Sequence, residues 1–375
     1  MSDSQRLHMG LLSVLQPALA QEDLRNLDTL AWAMTGILLQ KTVNLPAWAT
    51  VLPDVSHAKA RELKFRRWLQ NAKLDARSLY APFITGALSH WKRPTIHVAL
   101  DATSVNDRLV VVRTALIYRQ RALPLAWRVF QRKSVMLAFE QYADVIRYTA
   151  TLLPTDATVT LLGDRGFRDI RLMQLARDLG WHFRLRLAEN EYFSTGKHDP
   201  VPLSSVALIA TQPRFLQNAR LTQQAYGPVH LALIWDGDPT HDPWRLASDQ
   251  HTGQHTLIEY ARRMGIEFGF LDDKSAGFQL EDTELLHAGR LNRLLTILAL
   301  CSLCLLSMGT QVVDTGQRNL VDTHWTRGLS YFQLGWRWLD YCLARDAPLP
   351  LLFHLEPTPD PEPVAPPSFK DLLAK

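Results

Sequence analysis

The chain has 375 residues, 47% apolar and 21% charged, which excludes a disordered polymer and allows a sizeable core. Its 41 Lys and Arg against 37 Asp and Glu leave a formal charge of only +4, which by itself points to no partner. At roughly 150 residues per domain, the length allows two or three domains.

From the N-terminus, GLLSVLQPALAQ (10–21) has the apolar character of a secretory leader, but Asp3 beside Arg6 and the break at Gln16-Pro17 speak against one. Cytoplasmic residence is the expectation. Residues 1–90 read as helical, with an apolar helix in LDTLAWAMTGILLQKT and an amphipathic basic one in HAKARELKFRRWLQNAKL, whose buried side carries Leu63, Trp68 and Leu69. The period then changes to that of strands in TIHVALD (95–101), RLVVVRTALIY (108–118) and ALPLAWRVF (122–130), closely spaced as in a three-stranded meander. A helix (AFEQYADVIRYTATLL), a strand (TVTLLGD, 158–164), a second helix (RDIRLMQLARDLG) and a further strand (HFRLRLA, 182–188) follow, so the fold class is mixed α/β. Residues 189–255, broken by six prolines, read as an inserted segment of short strands. Helices resume from about 256 to 345. Leu294–Met308 is an apolar run of 15 residues, shorter than the ~20 needed to span a bilayer, and reads as a core helix. Cys301 and Cys304 in that run, with Cys342, are too few for a disulfide framework and lack a second pair for a metal site; they read as buried thiols. The proline-rich EPTPDPEPVAPP belongs to a tail (346–375) expected to be disordered.

Charge counted locally is less even. His57 to Arg93 carries nine basic residues, Arg66 and Arg67 among them, against Glu62 and Asp75, and Arg108 to Lys133 carries seven with no acid, so each window is +7. Such asymmetry suits a polyanion on one face, although arginines alternating along half-buried strands would give the same count.

The candidate chemistry lies in three acids. Asp101 closes the strand in IHVALDATS and Asp164 the strand in VTLLGDRGF, positions from which a carboxylate reaches an open loop. Either could equally be a turn or cap residue. In LIEYARRMGIEFGFLDDKSAGF, Tyr260, Arg263, Glu267 and Lys274 fall within about 60° of one another on a continuous helix. An acid among a phenol, a guanidinium and an ammonium can hold a divalent metal while its neighbours clamp phosphates. A solvated amphipathic helix has similar charge spacing, and a break near Gly269 or Asp272-Asp273 would remove Lys274 from the face.

The spacing Tyr-(2)-Arg-(3)-Glu-(6)-Lys resembles the signature of DDE transposases of the bacterial insertion-sequence "four" group, and Asp101, Asp164 and an interrupted segment precede it in that family's order. The resemblance covers residues ~20 to 345. It implies a ribonuclease H-like mixed sheet with a β-rich insertion, preceded by a helical DNA-binding arm (1–90) and followed by C-terminal helices (311–345). The catalytic core would be split into 91–188 and 256–310 around the insertion (189–255). Asp101, Asp164 and Glu267 would bind two Mg²⁺ ions, with Mn²⁺ as a substitute, about 4 Å apart. Tyr260, Arg263 and Lys274 would grip phosphates near the transposon end, and Trp235 or Trp244 would hold a flipped base. The implied partners are transposon-end DNA, target DNA and a second copy of the chain in the DNA complex, with no membrane; the implied route is cut-and-paste through a hairpin. A nuclease or resolvase of the same fold that never joins DNA, and a DNA-binding protein without chemistry, are the alternatives.

Overall fold

The computed structural model describes residues 1–54, 56–196, 199–222 and 224–364. Five helices come first: α1 (Asp3–Ala18), α2 (Leu24–Gln40), α3 (Leu45–Thr50), α4 (Ala58–Gln70) and α5 (Ala76–Leu88). Ser2, Asp23, Asn44 and Asp75 cap α1, α2, α3 and α5 by accepting backbone N–H groups that would otherwise lack partners. In α4 the inner stripe is Phe65, Trp68 and Leu69, an i, i+3, i+4 set. Leu63, expected on that side, points away from the stripe and is 39% exposed.

The sheet begins with β1 (Thr95–Asn106), β2 (Leu109–Tyr118) and β3 (Arg121–Gln131), followed by α6 (Phe139–Leu152), β4 (Thr158–Gly163), α7 (Ile170–Asp178) and β5 (His182–Arg186). β1 pairs antiparallel with β2 and parallel with β4, and β4 pairs parallel with β5. β1 runs five residues beyond the expected end at Asp101, because β2 continues to pair with it to Asn106, with a register shift after Ser104, once β4 has stopped. The segment after β5 contributes β6 (Tyr192–Thr195), β7 (Val201–Pro202), β8 (Arg214–Leu221), β9 (Tyr226–Ile234) and β10 (Trp244–Ser248). It forms no sheet of its own. β10 pairs antiparallel with β5, which gives one ten-stranded mixed sheet in the order β3-β2-β1-β4-β5-β10-β9-β8-β6-β7.

After β10 come α8 (Gln254–Ala261), α9 (Met264–Asp273), α10 (Ala288–Asp314) and α11 (Tyr331–Ala344). α10 is long and apolar enough to cross a membrane, yet its most apolar 18-residue window is 94% buried inside the fold. Cys301, Cys304 and Cys342 are free and buried there, and burial pushes the Cys304 thiol up to about 12. α10 and α11 approach so closely that a Cβ on Gly309 would lie 1.9 Å from the Tyr331 carbonyl oxygen, and one on Gly335 1.9 Å from that of Leu305. Because backbone is what the methyl would strike, Gly335→Ala is expected to cost about 2 kcal/mol or more in urea denaturation.

Residues 346–364 do not behave as the expected free tail. Leu351 and Leu355 are buried, the Trp91 indole donates to the Leu355 carbonyl (2.7 Å), and Arg327 binds the Glu362 carbonyl (3.0 Å) and the Asp360 carboxylate (2.8 Å). Prolines remove N–H donors but leave carbonyls and apolar rings available for docking. The end of the expected tail, 365–375, lies outside the described residues.

Candidate active site

Sheet register brings the two aspartates together. Leu100 of β1 is level with Gly163 of β4 in a parallel pair, so Asp101 and Asp164 follow side by side. Asp164 is extended (φ −77°, ψ −178°) and its Oδ1 accepts the Gly166 N–H (2.8 Å), which fixes the turn of the Asp-Arg-Gly segment. Asp101 is largely covered, with 16% of its side chain exposed.

α8 and α9 cross this face of the sheet and bring the third acid. Arg184 of β5, 1% exposed, binds Glu259 of α8 (2.8 Å) and Gln250 (2.7 Å), seating the approach. The expected single helix is interrupted at Arg262-Arg263, earlier than Gly269, by a tight turn in which Gly265 N–H bonds the Arg262 carbonyl and Ile266 N–H that of Arg263. Both residues keep right-handed helical angles, so Tyr260, Arg263 and Glu267 still converge. The re-aimed helix lays Gly265 against Ile117 and Gly269 against Ala122, where a Cβ on Gly269 would sit 2.9 Å from the Ala122 carbonyl oxygen. α9 then ends at Asp273 with Lys274 as its C-cap, whose N–H still bonds the Phe270 carbonyl (3.0 Å) while its ψ of −123° turns the following chain away.

Arg263 joins the acids: its Nη1 is 3.4 Å from Asp101 Oδ2 and its Nη2 is 2.7 Å from Glu267 Oε1. Asp101 is pushed up to about 6, first by burial and then, against the opposing pull of Arg263, by the Asp164 and Glu267 carboxylates. Asp101, Asp164, Glu267 and Arg263 therefore share one field. Tyr260 is buried beneath them with the edge of Trp244 against its ring (centroids 5.0 Å apart), and burial pushes its phenol up. Lys274 lies apart, 3.7 Å from Glu281, in a cleft of about 540 Å³ that it lines with Lys133, Ser104, Asn106 and Asp107 along the far half of β1.

The two tryptophans separate clearly. Trp244 is 3% exposed and serves the core around Tyr260. Trp235 is half-buried in the β9–β10 loop, its indole donating to the Asp238 carbonyl (2.8 Å). Arg66 and Arg67 are exposed on α4, which packs on α2, α3 and α10; Arg66 is paired with Glu62 (2.6 Å).

The basic windows are less available than their count implied. Arg113, Arg119 and Arg121 of the second window are paired with Asp273 of α9, Asp314 of α10 and Asp272 of α9, because the face carrying them is covered. A basic group missed in the sequence compensates. Arg165, next to Asp164, reaches Asp242 (2.9 Å), as do Arg186 (3.1 Å) and Arg245 (3.1 Å), so three cations share one carboxylate beside the site. They are spread over 80 positions and only the sheet gathers them; the alternation Arg184, Arg186 in HFRLRLA was the available signal.

The anchor of α9 carries its own pH dependence. Asp272, 3.5 Å from Arg121, is pushed up by burial from 3.8 to about 7. A carboxyl whose folded value is raised stabilises fully below the unfolded value, and that contribution is lost as pH rises through the folded one. The stability of the wild type relative to Asp272→Asn is therefore expected to fall between pH 4 and pH 7, as read by urea midpoints across that range.

No protein-family model matches the chain, and no curated protein matches it. Among solved structures, the chain is similar to a piggyBac transposase in a cryo-EM synaptic complex with hairpin DNA, with a TM-score of 0.50 and 10% identity over 92% of this chain and 80% of that one. At that identity the likeness is one of fold: the mixed α/β architecture described above is transposase-like.

Proposed function

We propose that the chain is a DDE transposase of the insertion-sequence "four" group, which cleaves DNA at transposon ends and joins it to target DNA by a cut-and-paste, hairpin-forming route. The observation that carries this reading is the convergence of Asp101 and Asp164, from neighbouring strands that run parallel, with Glu267 of α9 and Arg263 at its N-cap. The order β3-β2-β1-β4-β5, with β3 to β1 antiparallel and β1, β4 and β5 parallel, supports a ribonuclease H-like core. The strands from β6 to β10 would be its insertion, and α1 to α5 its DNA-binding arm. Dimerisation on DNA and a place in the bacterial cytoplasm, at the nucleoid, belong to the same reading.

The donor set fits Mg²⁺, or Mn²⁺ in its place: three carboxylates are hard oxygen ligands, and their mutual repulsion, felt most by buried Asp101, is what a divalent ion relieves. Two bound ions would supply Lewis-acid stabilisation of the charge that develops on the phosphoryl oxygens. Arg263 is held by Asp101 and Glu267 where its guanidinium can also meet a phosphate, and it lies over the ring of Tyr260 (5.8 Å), which Trp244 backs. Lys274 and Lys133 offer ammonium groups along the cleft. Against Asp242 and Glu189, the latter 3.9 Å from Arg245, the three arginines Arg165, Arg186 and Arg245 leave an excess of one positive charge for the strand entering beside Asp164. Trp235 is the half-buried aromatic, better suited than Trp244 to stack on a base.

Incubating the chain with end DNA and a target plasmid tests this: joined product in Mg²⁺ is expected, whereas cleavage without joining would favour a nuclease. A double substitution, Arg165→Ala with Arg186→Ala, is expected to weaken DNA binding across sequences and to lower the slope of log affinity against log salt by about 2.

A further inference from the structure

We infer that His90, His354 and Glu356 form a second metal site, for Zn²⁺ or a similar first-row divalent ion, that fastens the segment after α11 to the end of α5. The site is far in sequence and different in chemistry from the three carboxylates. His90 lies two residues past the end of α5, and the other two donors come from the extended segment at 354–356.

That segment is pinned at every residue. The His354 N–H donates to Ser307 Oγ of α10 (3.2 Å), the Leu355 carbonyl accepts from the Trp91 indole (2.7 Å), and the Glu356 N–H donates to Tyr118 Oη (3.2 Å). Leu355 is fully buried, so alternation along an extended chain puts His354 and Glu356 on the opposite side, where His90 stands. Trp91 places His90 against the same tripeptide. Both donor-bearing backbones are therefore fixed before any ion arrives, which is the condition for a preorganised site.

The donor atoms are close. The His90 and His354 rings stack with centroids 4.1 Å apart and planes 19° from parallel, and His354 Nε2 is 3.0 Å from Glu356 Oε1. One ligand atom from each of the three residues lies within 4.8 Å of the others. Tetrahedral Zn²⁺ with bonds of about 2.0–2.1 Å needs donors roughly 3.3 Å apart, so the side chains must rotate to bring the donors closer by up to about 1.5 Å. They are free to do so, since the His354 and Glu356 side chains retain 45% and 39% of their exposure. Two imidazoles and a carboxylate, with the fourth position open to water, suit Zn²⁺, whereas Mg²⁺ prefers an all-oxygen set.

Such an ion would hold the base of a strap. Beyond Glu356, Asp360 pairs with Arg327 (2.8 Å) and the segment ends its described course at Val364, whose carbonyl accepts from Gln120 at the β2–β3 turn (3.1 Å). Metal at 90/354/356 would keep this stretch on the fold from a point 264 residues away in sequence.

Calorimetric titration of Zn²⁺ into chelator-stripped full-length chain tests the site, in an Asp101→Asn, Glu267→Gln background that disables the carboxylate cluster. One equivalent of Zn²⁺ is expected, with affinity lowered about tenfold or more by His90→Ala or by His354→Ala. Co²⁺ in its place should give a visible absorption band that the same substitutions remove. Zn²⁺ should also slow proteolysis beyond Arg345 in the parent and not in His354→Ala. Unchanged Zn²⁺ affinity in both histidine variants, with native circular dichroism, would overturn the site. Glu356→Gln, which keeps the side chain's size, serves if an alanine variant fails to fold, and full-affinity Zn²⁺ binding by it and by the remaining histidine variant would overturn the site equally.

Discussion

Replacing Glu267 by Gln is expected to abolish cleavage of end DNA, by at least about 10³-fold, while DNA affinity stays the same or rises. The substitution keeps the shape of the side chain and its contact with Arg263 Nη2, now 2.7 Å from Oε1, but removes the charge that a divalent ion would require. It also removes an anion from a surface meant to meet phosphates, which is why affinity should not fall. A gel assay of nicking, run beside filter binding of the same DNA, reads both quantities. Cleavage at the wild-type rate would mean that Glu267 is a solvated helix residue and nothing more.

The second large effect concerns how α9 is held. Arg113 of β2 and Asp273 at the end of α9 form an ion pair with side chains only 4% and 6% exposed. Burial pushes the Asp273 carboxyl up and Arg113 pulls it back, so neither charge is well solvated alone. Asp273→Ala is expected to cost about 3–5 kcal/mol, since it strands a buried guanidinium whose Nε and Nη2 already lack partners. Replacing both, as Arg113→Met with Asp273→Leu, should recover most of that loss, because two well-packed apolar groups need no desolvated charge. Urea denaturation of the two single variants and the double variant closes the cycle. A double variant as unstable as the sum of the singles would show that packing, not charge burial, sets the cost.

These results bear on how much the sequence could say. Strand period made β2 to β5 legible to within two residues and β1 at its start, though not its five-residue extension, and the adjacency of Asp101 and Asp164 follows once the strands pair in parallel. The spacing of Tyr260, Arg263 and Glu267 also reported a real convergence, since a short tight turn at 262–263 preserves helical angles. Lys274 escaped the same logic because it is the C-cap of α9, about two turns beyond Glu267, and its ammonium pairs with Glu281 and not with the three acids. Net charge was the poorest guide. Arg113, Arg119 and Arg121 looked like a DNA face, but their partners Asp273, Asp314 and Asp272 lie more than 150 positions away, and no local count includes them. The Arg165, Arg186, Arg245 group escaped notice for the mirror-image reason. The proline-rich segment misled in another way: its composition reports missing N–H donors, while Leu355, Asp360 and Glu362 dock through carbonyl, carboxylate and apolar contacts that composition does not encode.

Whether Asp101, Asp164 and Glu267 share one divalent-metal site is tested most directly by iron-mediated cleavage. Fe²⁺ with ascorbate and peroxide, bound in place of Mg²⁺, should cut the polypeptide near residues 101, 164 and 267 in the same preparation, and excess Mg²⁺ should suppress all three cuts together. Absence of cuts at these positions, or cuts indifferent to Mg²⁺, would contradict a metal-dependent nuclease centre there.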